Sequence, residues 1–326
     1  MGHLKIVSTR GFTLVELLVA MALGVTLLFG VTQIFSSSRD SARLQNAMAS
    51  VQDGGRVAVE VLSRDIRNAD FSGCLRDRTT LTNGLQGAPS PSFYDYYSLD
   101  TVGGNTADAT TKVGSKNVIP NTDTLQIVSA APVCPGVFNL AASLTSLAGD
   151  ITLNGSCPGG IDDGAVLLVS NCSQGEIFIK TGGANQTIER DNSTAFTDKN
   201  SNSISNSSDQ FQALYGLDAT VMKPVVFTYF VAQGQNQNNA LFRRENDQSF
   251  ELIANVEDFQ VEFGIDNDDD LAVEQFVAPA AVADPQQIIA VRTTITVASE
   301  ELVQGNQLNR TYTATTNIRN RTAPGG

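Results

Sequence analysis

Asp266-Asn267-Asp268-Asp269-Asp270 is the densest run of ligand-bearing side chains in this sequence, and Glu274 follows four residues later. Carboxylates at alternate positions, Asp266, Asp268 and Asp270, match the opening of an EF-hand-type loop, an all-oxygen donor set suited to calcium. Glu274 is placed to close such a loop. Leu271, however, stands where the turn glycine belongs, and the twelfth position carries no acid. Calcium is one reading of this run; a solvated acidic turn between two strands is the other. The rest of the composition speaks against the commonest enzyme chemistries. The single histidine is His3, and there is no tryptophan. A Ser–His–acid triad, a Cys–His dyad or a His-ligated zinc would have to use His3, ahead of a long apolar run. The adjacent acids Glu257 and Asp258 make a poor catalytic pair, because neighbours in a strand point to opposite faces. Carboxylate-only catalysis stays open on composition; the expectation for the whole chain is a non-enzymatic protein, with no cofactor unless calcium occupies the acidic run.

Cys74, Cys134, Cys157 and Cys172 are widely spaced and form no C-x-x-C pair, which disfavours a zinc ribbon or a thioredoxin-type motif. In an oxidising compartment they form two disulfides, with three connectivities open. Cys157 and Cys172 flank an expected turn and strand, so we pair them, leaving Cys74 with Cys134. A bridge closing a loop of that size contributes roughly 3 kcal/mol. A formal net charge of −13 argues against nucleic acid as the main partner, since phosphate binding needs clustered Lys and Arg.

The remaining group of note is Glu16, which lies inside FTLVELLVAMALGVTLLFGVTQIF. Lys5 and Arg10 precede this run, and the next basic residue is Arg39. At about 1.5 Å per residue, Phe12 to Phe35 reaches across a bilayer core of about 30 Å. The positive flank keeps residues 1–11 cytoplasmic and exports the rest. A carboxylate costs about 2.5–3.5 kcal/mol at the centre of such a helix and less near the interface, so it calls for a partner. The helix is expected to continue past the membrane over residues 36–70. There Leu44, Met48, Val51, Gly55, Ala58, Leu62 and Ile66 form one apolar stripe. Gly54-Gly55 is a place where it could bend.

Gly11-Phe12-Thr13-Leu14-Val15-Glu16, after a short basic leader and before an apolar helix, resembles the class III signal of type IV pilins and type II secretion pseudopilins. The resemblance implies cleavage between Gly11 and Phe12 by a membrane prepilin peptidase, with methylation of the new Phe12 amine. That amine has an ordinary pKa of about 7.7–8.0 and is largely protonated at neutral pH. A carboxylate four residues on lies about 6 Å along the helix axis. Two such helices, shifted by that distance, set the amine of one against Glu16 of the next. Each charge alone is costly in low dielectric, whereas the pair is much less so.

Beyond Phe71 the sequence reads as β structure. Strands are expected at 123–130, 150–155, 165–170 and 176–180, and five more β-rich runs fill the C-terminal third. Residues 181–209 read as an exposed or locally disordered polar loop. The Tyr-rich FYDYY at 93–97 reads as loop packing. A long amphipathic helix against an antiparallel sheet is an α+β arrangement, and the resemblance to pilins implies that it is the type IV pilin fold. The expected divisions are 1–11 leader, 12–35 membrane and assembly helix, 36–70 amphipathic continuation, and 71–326 β-rich domain.

VEDFQVEFGID with its acidic stretch, AVRTTITV, and the terminal TTNIRNR resemble the C-terminal half of the PilW family of minor pilins; FSGC (71–74) and GAVLLVSNCSQGEIF (164–178) are similar to it as well. The resemblance implies a low-abundance subunit that primes type IV pilus assembly. It would sit in a tip complex with other minor pilins, the major pilin and often a large tip adhesin. Before assembly it would be anchored in the inner membrane with its C-terminal domain in the periplasm. A type II secretion pseudopilin of the J class, or a tip adhesin binding through its loops, are the alternatives.

Overall fold

The computed structural model describes residues 13–75, 80–86, 102–136, 139–184, 186–197, 203–245, 248–303 and 305–322. The expected leader, Gly11, Phe12 and the Tyr-rich 93–97 stretch lie outside the described residues. Helix α1 runs Leu14–Arg67 as one 54-residue element. It begins where Thr13 caps it: the Thr13 hydroxyl accepts the Glu16 backbone N–H at 3.3 Å, the first half of an S/T-x-x-E capping box. It ends with Arg64 and Arg67 in the last turn, where positive charge complements the helix dipole. Asp70 then adopts φ 65° and turns the chain back, its N–H donating to Val128 O at 2.8 Å.

The principal strands are β1 (Leu81–Asn83), β2 (Val102–Thr106), β3 (Asp123–Pro132), β4 (Val166–Ser170), β5 (Gly175–Ile179), β6 (Thr220–Gln233), β7 (Asn239–Glu245), β8 (Gln248–Ala254), β9 (Val256–Ile265), β10 (Gln275–Val277), β11 (Ile288–Val303) and β12 (Asn306–Asn317). An eight-stranded sheet has the order β1-β5-β4-β6-β7-β8, with β3 paired to the long β6 and β2 paired to β3. Its pairs are antiparallel except β1 with β5. A four-stranded sheet has the order β10-β9-β11-β12. A four-residue helix, α2 (Arg319–Thr322), closes the described chain.

The structure divides into two compact units, Met1–Gln52 with Ser299–Leu308, and Asp53–Ala298 with Asn309–Gly326. In the first, the large apolar side chains of α1 from Leu14 to Phe35 are exposed, while Ala47 and Val51 are buried. The hairpin between β11 and β12 is tied by Ser299, whose hydroxyl donates to Glu301 O and accepts Leu308 N–H.

In the second unit, Asp53 to Arg67 of α1 packs on strands from both sheets. A Cβ built on Gly54 would lie 3.3 Å from Ile253 and 3.4 Å from Val297, while one on Gly55 would fall 2.1 Å from the Tyr312 ring. Gly55 thus serves close approach, and the helix stays unbroken there, where a bend was expected. Asp65, buried on the same stretch, accepts the Tyr229 hydroxyl at 2.6 Å and faces Arg243 Nε at 2.9 Å. The helix exit is clasped from the C-terminus: Arg321 reaches Asp70 at 2.8 Å and donates to the carbonyls of Pro285, Gln286 and Ile288, while Asn320 caps Ala69 O. Asp123 joins the two sheets, taking the Thr106 hydroxyl and the Val261 N–H.

Several expectations change. Met48 is exposed and Ala47 takes its place in the buried stripe; both neighbour Val51 on a helix face, at i−3 and i−4, and spacing alone does not choose between them. Residues 248–254 form a strand of their own, β8, and 318–321 leave the sheet to enter α2. Residues 181–209 are more than an exposed loop. Ile188, Arg190, Ile204 and Asn206 are buried. Asn206 holds Ile179 through both its N–H and C=O and also caps Asp191 O. Arg190 pairs with Glu176 at 2.7 Å in full burial. Polar composition signals exposure only when polar groups lack internal partners, and here they have them.

The disulfides are Cys74–Cys172 and Cys134–Cys157, so the expected pairing of Cys157 with Cys172 is wrong. Cys172 sits in the tight turn from β4 to β5, fixed by Asn171, whose side chain accepts the N–H of Ser173 and Gln174. There the Ser170 hydroxyl reaches Ser72 O at 2.7 Å, so the turn meets the segment leaving α1. Cys157 belongs instead to an apolar cluster with Cys134, Leu140, Ile151 and Leu153. The two bridges close separations of 98 and 23 residues, worth about 4–5 and about 3 kcal/mol by loop entropy. Non-reducing peptide mapping should recover these two links. Cys74→Ser/Cys172→Ser should lower stability more than Cys134→Ser/Cys157→Ser, by about 1 kcal/mol in denaturant titration; the reverse ranking contradicts the assignment.

Burial holds the Asp123 carboxyl above its ordinary value of 3.8, against the hydrogen bonds from Thr106 and Val261 that pull it down. The native state therefore keeps this proton at a pH where the unfolded chain has lost it. Stability from this group is complete below 3.8 and declines as pH rises through the native value. In thermal melts from acid to neutral pH, Asp123→Asn should gain on the natural chain as pH rises; a difference independent of pH contradicts this.

Candidate assembly site

Within the described part of the apolar segment two threonine hydroxyls are satisfied by the helix itself. Thr26 donates its hydroxyl to Leu23 O at 2.9 Å, and Thr32 donates to Phe29 O at 2.8 Å. Such back-bonding lets threonine enter a hydrocarbon-facing helix at little cost. Glu16 is different in kind. It is the one ionisable residue between Thr13 and Phe35. It is exposed, and among the described residues its carboxylate has no partner within the chain. Its place in the first turn of α1 sets it against the positive end of the helix dipole, which stabilises it in part. The helix is long and apolar enough to cross a membrane, and its most apolar window is wholly unburied.

Asp266, Asp268, Asp270 and Glu274 are brought together, with one carboxylate oxygen of each within 4.8 Å of the others. Asp266 is buried and the other three are exposed. The two Asp266 oxygens accept the N–H groups of Asp268 and Leu271, and Glu274 accepts that of Asn267. Leu271 takes up the turn with φ 66°, doing with a leucine what the calcium loop does with glycine. The donor chemistry suits a hard divalent cation, and the backbone amides by themselves account for the arrangement.

Further polar groups inside the protein were not singled out from sequence: Glu176 with Arg190, and Asp65 with Tyr229 and Arg243. Arg190 lies over the Phe211 ring at 4.6 Å, and burial pushes the phenols of Tyr215 and Tyr229 up. These are interior ties between elements far apart in sequence. Lone Glu, Arg and Tyr letters carry no sign of such pairing.

Two family comparisons bear on the two ends of the chain. Residues 8–32 match the prokaryotic N-terminal methylation motif, and residues 228–324 match the type IV pilus-assembly protein W family, PilW. The C-terminal third of the chain is thus similar to the PilW family, and its start carries the methylation motif. The PilW match covers the end of β6 and everything from β7 to α2, hence the whole four-stranded sheet and the C-terminal clasp on α1. The chain is also similar to the pilin-like protein PilA3 of Thermus thermophilus, 42% identical over 60 residues, which are 18% of this chain and 26% of that protein. The matched stretch thus spans about a quarter of that relative's length. No solved structure matches. The methylation motif and the exposed apolar helix together support membrane anchoring and association with a pilus.

Removing the buried acceptor of the acidic turn by Asp266→Ala strands two backbone donors. Stability should fall by about 1–3 kcal/mol in denaturant titration carried out with excess chelator. An unchanged midpoint would show that these bonds do not hold the turn.

Proposed function

We propose that this chain is a non-enzymatic minor pilin of the PilW family that helps prime type IV pilus assembly. Prepilin peptidase cleaves between Gly11 and Phe12 and methylates the new amine. The processed chain then waits in the inner membrane with its β-rich part in the periplasm. It joins other minor pilins and the major pilin at the filament tip, where a large tip adhesin is a further neighbour. The observation that carries this reading is Glu16: a carboxylate with no partner among the described residues, on an unburied apolar helix and inside a matched methylation motif. A protonated Phe12 amine on an adjacent subunit meets the need that the threonines meet internally. The pairing also fixes the axial step between subunits, because a charge pair in low dielectric loses much of its energy when it is displaced.

Glu16→Ala should leave cleavage intact and lower recovery of the chain in sheared pili or in co-purified pilin complexes by about tenfold, or about 1.4 kcal/mol. Incorporation at the natural level would contradict the assembly role of Glu16.

A further inference from the structure

β12 ends the four-stranded sheet, and among the described residues no strand pairs with its outer edge. Such an edge is normally blunted by brevity, proline, a bulge or inward charge. β10, at the other end of this sheet, has three residues, as does β1 at one end of the large sheet. β8, at the other end, is paired through a bulge and carries Glu251, which accepts the Gln235 N–H. β12 has 12 residues, most of them exposed, and contains neither proline nor acid. Its side chains alternate cleanly. Thr311 and Thr313 bond across to Thr296 and Thr294 on the outer face, while Tyr312 and Thr316 turn to Gly55 and Ser63 of α1. The strand is long and, among the described residues, open along its outer edge.

Beside this edge runs an open groove of about 880 Å³ between α1 and β12, lined by Arg56, Val59, Ser63, Arg64, Arg67 and Tyr312 among others. Arg56, Arg64 and Arg67 are exposed, and Glu60 is the one acid in the lining. Arg64 meets Asp65 at 3.3 Å; among the described residues Arg56 and Arg67 have no ion-pair partner. A cationic groove on a chain of net charge −13 runs against the average of its surface and selects partners of acidic character.

We propose that the outer edge of β12, from Arg310 to Asn317, takes up an extended acidic segment of a neighbouring pilin subunit as an added strand, with Arg56 and Arg67 pairing with its carboxylates. The inference rests on the pilin reading above and names the surface and chemistry of one subunit contact. Main-chain hydrogen bonds along β12 supply affinity, and the arginines supply selection by charge.

The test uses the full-length chain in detergent micelles and a fluorescent peptide of alternating Glu and Val, with a Lys–Val peptide as its counterpart. Expected are saturable binding by anisotropy and slowed amide exchange confined to Arg310–Asn317. R56E/R67E should weaken binding by about tenfold or more. Arg56→Gln with Arg67→Gln should weaken it less, which guards against misfolding of the reversed pair. Absence of binding, equal binding of the Lys–Val peptide, or protection away from β12 would overturn the proposal. So would full protection of these amides before any peptide is added, which would show the edge covered by this chain or by a second copy. Each of those failures leaves the pilin reading standing, because that reading is tested at Glu16.

Discussion

One carboxylate in an otherwise apolar helix sets the terms for this protein. The hydroxyls of Thr26 and Thr32 along that stretch close on their own helix, on carbonyls one turn back. A glutamate cannot do this, because a helix offers no cation. The first-turn dipole helps by a few tenths of a kcal/mol to about one, less than the cost of holding the charge in hydrocarbon. In the proposed assembly role that deficit is met by the amine of an adjacent subunit, and the pairing would fix where the next helix stands.

The other end of α1 solves the opposite problem. There the helix enters a protein core, and its acids are answered internally. Asp65 receives Tyr229 and Arg243, and Asp70 receives Arg321 together with the strand carbonyls that the arginine also grips. Removing one partner of such a pair leaves a buried charge uncompensated, at a cost of about 3–5 kcal/mol. These ties join the helix to both sheets and to the final residues of the chain. Asp65 is thus answered inside the chain, whereas Glu16, among the described residues, is not.

How far the sequence revealed this depends on whether the signal is local. The Gly11–Glu16 motif, the apolar run and the period-2 strands such as VRTTITV are contiguous in sequence, and each was legible. The capping of α1 by Thr13 is local too, yet it lay hidden beneath the assembly role of Glu16. What escaped was non-local. Cys172 pairs with Cys74, 98 residues away, because a four-residue turn carries it to the exit of α1, and no spacing rule contains that fact. Arg190 and Asn206 lie in a run whose letters read as solvent-loving, but Glu176 and the Ile179 backbone receive them inside. The choice of Ala47 over Met48 was equally invisible, since both fit the helical face.

The account stands most directly on the state of the chain's own amino terminus. Mass spectrometry of the protein recovered from its natural membrane or filament should find a polypeptide that begins at Phe12 with a methylated amine. A chain that still begins at Met1, or one that starts beyond Ile34, would leave Glu16 without the cation this account requires and would contradict it.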